Sequence, residues 1–236
     1  MRILVCGTSV MMYGKNTSKE TDQKSWVWYL QQKLNCEVVN LARAGCGNQY
    51  MHDAVIAAIT EQEYDLVLVS WNKSGVAEFR CQHNLPLVDW DGLEGNTHPE
   101  YLQNDWVWSH TPDEAMPWED AALDKKDLFK SRFRMNPKYP VNHQMSLTQI
   151  LSLQSTLKSY GVPYAFVFYR KLLQLKQFKK YYEKIDWDNV HDKNLFSLAK
   201  HNKLWDNASY HPTNKAHEIY ADMMYEFLST KNLIKP

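Results

Sequence analysis

No apolar run in this sequence approaches the ~18 residues that a membrane-spanning helix needs, so no membrane partner is expected. An excess of either charge is also missing. Lys plus Arg and Asp plus Glu stand at 27 each, so no global field draws DNA, RNA or an anionic surface, and no nucleic-acid partner is expected. The four cysteines, Cys6, Cys36, Cys46 and Cys81, lack CxxC spacing, and free thiols are the expectation. His83, His98, His110 and His143 lack ligand spacing such as HxxxH, so neither a metal nor another cofactor is expected. Internal repeats and low-complexity segments are absent. No signal peptide precedes the first apolar run, which sets the expected location as cytoplasmic. A P-loop is excluded as well: six residues rather than four separate Gly7 from Gly14, and Asn16 stands where Ser or Thr is required.

What is present fits one compact α/β domain of 236 residues with a sizeable insertion. The 9 Trp and 14 Tyr are abundant for this length, and such side chains line carbohydrate clefts as well as cores. Ile3, Leu4, Val5 and Cys6 form a short apolar run that stops at Gly7, which reads as a buried strand of a parallel sheet. In open α/β sheets chemistry gathers beyond the carboxyl ends of strands. Ser9 falls there, and Gly7 is expected to free the backbone for a sharp exit.

The chain then alternates. Trp26, Tyr29, Leu30 and Leu34 keep helical spacing behind Ser25 as N-cap, and Glu37–Leu41 is a second strand. Met51, Ala54, Val55, Ala58 and Ile59 mark a second helix capped by Asn48, and Asp65–Ser70 is a third strand. This β-α-β-α-β order with short connections implies a parallel sheet with right-handed crossovers. Residues 79–141 break the pattern with many Pro, Trp and His, and read as a lid-like or substrate-binding insertion over the carboxyl edge. Regularity returns at Ser146 with Leu147, Ile150, Leu151, Leu157 and Tyr160 on one stripe, stopped by Gly161 and Pro163. Tyr164–Tyr169 is the next strand, Lys171–Lys184 a basic helix with a solvated face, and Asn194–Leu198 a weak fifth strand. His217, Tyr220, Ala221, Met224, Phe227 and Leu228 form the stripe of a terminal helix after Pro212.

Four points of possible chemistry each follow a strand or precede a helix: Gly7-Thr8-Ser9, Gly45, Asn72 or Ser74, and His211. In this order, with NLARAG at 40–45 and HPTNKAHEIYA at 211–221, the chain resembles the SGNH (GDSL) hydrolase superfamily over almost its whole length apart from the insertion. It is also similar to SGNH-like proteins of tailed phages of aquatic bacteria, which carry Trp after the third strand, as Trp71 stands here.

The resemblance implies a three-layer α/β/α, flavodoxin-like fold with a central parallel sheet of about five strands. It implies ester hydrolysis with Ser9 as nucleophile, His211 as base, and the Ser9 and Gly45 amides with Asn72 around the oxyanion, Ser74 standing at the family's Asn position. The aromatic insertion and the lack of a deep apolar lid sequence favour a polar substrate, a small-molecule or glycan ester such as an acetylated sugar, over a long-chain lipid. Three departures leave a second reading open. Thr8 replaces the family's Asp beside the nucleophile, the third block lacks Gly-x-Asn, and Ala208 stands three residues before His211 where the family has Asp. Asp206, five before, reaches His211 only if the loop is shaped differently. The alternative is a binding or structural module, virion-associated if the gene is a phage's, that keeps the scaffold without turnover.

Overall fold

The computed structural model describes residues 1–11, 24–43, 46–72, 77–80, 106–109, 140–169, 175–206 and 211–234. Strand β1 (Arg2–Cys6) is buried on both faces, and its side chains divide by parity. Leu4 and Cys6 enter one apolar cluster, Ile3 and Val5 the other. Burying such a side chain contributes roughly 1.5–3 kcal/mol, so this strand anchors two cores at once.

Around it run α1 (Trp26–Leu34), β2 (Glu37–Asn40), α2 (Asn48–Glu61) and β3 (Leu66–Trp71). Next come β4 (Ala77–Arg80), β5 (Trp106–Ser109), α3 (Pro140–Ser159) and β6 (Tyr164–Phe168). The short α4 (Lys179–Tyr182) precedes β7 (Val190–His191) and α5 (Leu195–His201), and a two-residue pair, β8 (Trp205–Asp206) and β9 (His211–Pro212), leads into α6 (Asn214–Thr230). Five strands form one sheet in the order β2-β1-β3-β6-β7, all parallel. Helices α2 and α3 cover one face, and α1, α5 and α6 the other. This is a three-layer α/β/α fold with flavodoxin-like strand order. The crossovers from β1 leave in opposite directions, so the carboxyl ends of β1 and β3 bound the crevice where such sheets hold their chemistry.

Local signals explain most of the boundaries. The Ser25 hydroxyl accepts from the Trp28 N–H at 3.4 Å and starts α1. Thr213 caps α6 in the same way. Past the end of α3, Gly161 has φ +68°, a left-handed conformation that glycine adopts without Cβ strain.

Several expectations are corrected. The fifth strand is Val190–His191, while 195–201 is helical. Asn194 accepts from the Ser197 N–H at 2.8 Å, and Leu195, Phe196 and Ala199 turn inward at helical spacing, which overrides the β reading. Helix α3 begins at Pro140 rather than Ser146, and Tyr160 lies exposed beyond its end. The basic segment is broken: a 3-10 turn (Lys176–Phe178) leads into the four residues of α4, with Phe178 and Tyr182 buried. The N-cap of α2 is Gly47, not Asn48. Of the segment 79–141, only β5, the end of β4 and the start of α3 are described. β4 and β5 pair antiparallel, and residues 81–105 and 110–139 lie outside the described residues.

Gly7 has another reason than the one its sequence context suggests. Among the described residues the glycine with left-handed φ is Gly161. At Gly7 the constraint is space: an added Cβ would sit 2.3 Å from Met11 Sδ and 3.0 Å from Ser70 Cβ. The Met11 side chain can swing away, but Ser70 belongs to a buried central strand and cannot. Gly7→Ala is therefore expected to destabilise the fold by about 1–3 kcal/mol, read as a lowered midpoint in urea unfolding.

Candidate active site

Ser9 opens a 3-10 turn, Ser9–Met11, directly beyond β1. The Met11 N–H donates to Thr8 O at 2.9 Å and closes the turn. The Asn40 amide at the end of β2 donates to Met11 O at 2.8 Å while its Oδ1 accepts from the Ala42 N–H at 2.9 Å. The turn is thus clamped from the neighbouring strand. The first N–H groups of a helical turn have no partner inside it, so the Ser9 amide is free of the turn's own bonding. Thr8, beside it, is buried, and its hydroxyl has no hydrogen-bond partner among the described residues.

His211 comes from the other end of the chain. Its Nε2 lies 3.1 Å from Ser9 Oγ across 202 residues. Both side chains are half-buried. A serine hydroxyl at this distance can hand its proton to the imidazole, and that step is what turns it into a nucleophile.

In the β8–β9 ladder Asp206 is the direct cross-strand partner of His211. Directly opposed residues of an antiparallel pair point to one face, with Cβ atoms about 4.5–5.5 Å apart. Ala208, in the joining stretch 207–210, lies outside the described residues, as do Gly45 and Ser74.

Asn72 follows β3, but its amide does not stand open. Nδ2 donates to Cys46 O at 2.8 Å. Its backbone N–H donates to Asn48 Oδ1 at 2.8 Å, and Asn48 Nδ2 returns a bond to Asn72 O at 3.3 Å. The Cys46 thiol donates to Gly7 O at 3.1 Å, and the Arg43 N–H donates to the same carbonyl at 2.9 Å. The loops after β1, β2 and β3 are thereby sewn to one another. From the sequence Cys46 is expected only as a free thiol and Asn48 only as a helix cap, not as cross-loop links. A thiol after a small-residue turn and an Asn at a helix start have commoner local explanations, and only the folded loops show the cross-loop bonds.

His217 lies below His211 on the first turns of α6 and is buried. Its Nδ1 accepts the Trp26 N–H, an orphan donor at the start of α1, at 3.1 Å across 191 residues. The Asn214 side chain accepts the Lys24 N–H at 3.0 Å beside it. These bonds pin the start of α6, just after His211, onto the start of α1. Burial, and secondarily the nearby His211, depress the pKa of His217 from 6.5 to about 3. Among the described residues, no group of three or more His, Cys, Asp or Glu side chains could hold a metal, and no helix is long and apolar enough to cross a membrane.

No protein-family model and no curated protein matches this chain. Solved structures do. An esterase of Pseudoalteromonas, EstA, determined with monoethylphosphonate as inhibitor, aligns at 16% identity over 97% of both chains with a TM-score of 0.54. TesA aligns at 14% identity over 98% of this chain and 99% of its own, with a TM-score of 0.51. An acetyl-xylooligosaccharide esterase from Geobacillus aligns at 12% over 96% and 93%, with a TM-score of 0.50. The chain shares the fold of these structures.

The depressed His217 has a consequence for stability. From about pH 6.5 down to about 3 the unfolded chain holds a proton on this imidazole and the folded chain does not, so stability falls as the pH drops through that window. The full effect is on the order of 3–5 kcal/mol. His217→Gln, whose amide oxygen can still accept the Trp26 N–H, is expected to flatten this part of the pH dependence in urea melts between pH 7 and 4.

Proposed function

We propose that the protein is a serine-dependent ester hydrolase working through an acyl-enzyme. The observation that carries this is the 3.1 Å contact between Ser9 Oγ and His211 Nε2 beyond the carboxyl end of β1, next to the strand-order reversal. Ser9 attacks the ester carbonyl as His211 takes its proton. His211 then returns the proton to the departing alcohol, and water releases the acyl group by the same steps in reverse roles. The Ser9 N–H is the first oxyanion donor. Asp206, opposite His211 in the hairpin, orients the imidazole and stabilises its charged form, the role a carboxylate has in such a triad. Gly45 and Ser74 remain candidates for the remaining donors. Asn72 acts by holding the Cys46 loop.

As substrate we propose acetyl or other short acyl esters of a carbohydrate. Supporting this are the aromatic content of residues 79–141 and the likeness in fold to an esterase acting on acetylated xylooligosaccharides. The competing reading, a scaffold without turnover, draws on Ala208 in the family's Asp position and on the Asn72 amide bound to Cys46. The likeness to the phage-encoded subgroup adds nothing to either. Trp71 is a fully buried core side chain, edge-on to Phe166 at 5.4 Å.

Hydrolysis of a short-chain aryl ester tests the proposal. Ser9→Ala and His211→Ala are each expected to lower kcat by on the order of 1,000-fold or more, and Asp206→Ala by a smaller factor. An alkylphosphonate should form an adduct on Ser9 that Ser9→Ala abolishes. Turnover unaffected by Ser9→Ala would overturn the assignment, and a wild-type protein that neither turns over the ester nor forms the adduct would establish the inert scaffold.

A further inference from the structure

Helices α2 and α3 lie side by side on one face of the sheet, and a second serine, imidazole and carboxylate meet along their outer seam. Ser152 Oγ on α3 lies 3.0 Å from His52 Nε2 on α2. His52 Nδ1 lies 2.7 Å from Asp53 Oδ1. Gln49 Nε2 donates to the same carboxylate oxygen at 2.9 Å, and Gln149 Nε2 donates to Gln49 Oε1 at 2.6 Å. The acid is thus held by Gln49, which Gln149 fixes in turn from the facing helix. The His52 and Asp53 side chains keep 16% and 32% of their exposure, and Ser152 is exposed, so a reagent can reach the hydroxyl.

The hydrogen-bond roles follow from chemistry. A carboxylate only accepts, so Asp53 takes the Nδ1 hydrogen and leaves the Nε2 lone pair facing the serine. Ser and Thr inside helices usually bond back to the carbonyl four residues before. Thr148 and Thr156, one turn to either side on the same helix, do so at 3.0 Å each. Ser152 between them reaches instead to an imidazole whose opposite nitrogen is fixed by an acid.

The geometry points to Ser152 as a second reactive serine, a covalent modification site for small activated acyl or phosphonyl donors such as aryl esters and fluorophosphonates. Ser152 Oγ attacks the electrophilic centre and its proton passes to His52 Nε2. The bond to the aryl oxide or fluoride breaks, His52 gives the proton to the leaving group or solvent, and Ser152 carries the ester. The Ser152 N–H belongs to the ladder of α3 and cannot hold an oxyanion. Only donors with good leaving groups therefore react, and the adduct persists rather than turning over. This site is independent of Ser9.

The test uses the full-length Ser9→Ala protein, treated with a fluorophosphonate and mapped by peptide mass spectrometry. The expected result is one persistent adduct on Ser152, with Ser155, exposed on the same helix, as the internal reference. Adding His52→Gln, which keeps a hydrogen-bonding amide but cannot take up the proton, should slow labelling at least about tenfold. Labelling of Ser152 no faster than of Ser155, or unchanged by His52→Gln in a protein with an unaltered melting curve, overturns the proposal. If the double variant does not fold, the ratio of Ser152 to Ser155 labelling in Ser9→Ala decides alone.

Discussion

The contact between Ser9 and His211 joins two ends of the chain that carry no local preference for each other. It exists because the strand order reverses beside β1. Chain leaving β1 and chain entering the last helix are brought to one crevice, and the bonds from α6 to the start of α1 set their distance. A hydrogen bond between partners so far apart in sequence cannot organise the fold. Closing such a loop costs entropy that one polar contact does not offset. The apolar clusters on the two sheet faces do the organising, and the polar contact is their product.

Polar groups near the crevice have a different task from those in the cores. Amides shielded from water must find partners, and here the buried Asn48 and the half-buried Asn40 and Asn72 find them in other loops: Asn40 on the Ser9 turn, Asn72 on the Cys46 carbonyl, Asn48 on the Asn72 backbone. Each bond is worth only about 1 kcal/mol net, but a group left unpaired would cost more, so the set specifies one arrangement of three loops. The neutral His217 works similarly, at the cost of pH sensitivity.

Much of the fold was legible from the chain. Apolar runs such as Ile3–Cys6 and Leu66–Val69 can be satisfied only by burial on both faces, and the stripes of α1, α2 and α6 repeat at helical spacing. Where reading failed, tertiary context outweighed local pattern. Asn194 turned a supposed strand into a capped helix, and a two-residue strand at Val190–His191 is too short for periodicity to reveal. The demand for glycine at position 7 came from a neighbouring strand and a methionine three-dimensionally above it, which no local rule anticipates.

By itself the sequence determined the class of fold, the parallel sheet and the positions of Ser9 and His211 at element ends. These follow from hydrophobic periodicity and chain order, which are local properties. Only the tertiary structure decided that the two side chains meet, that Asp206 stands opposite His211 despite its spacing, and that the Asn72 amide is drawn to Cys46. Those are relations between residues far apart along the chain or on facing strands, and they are set by how whole elements pack.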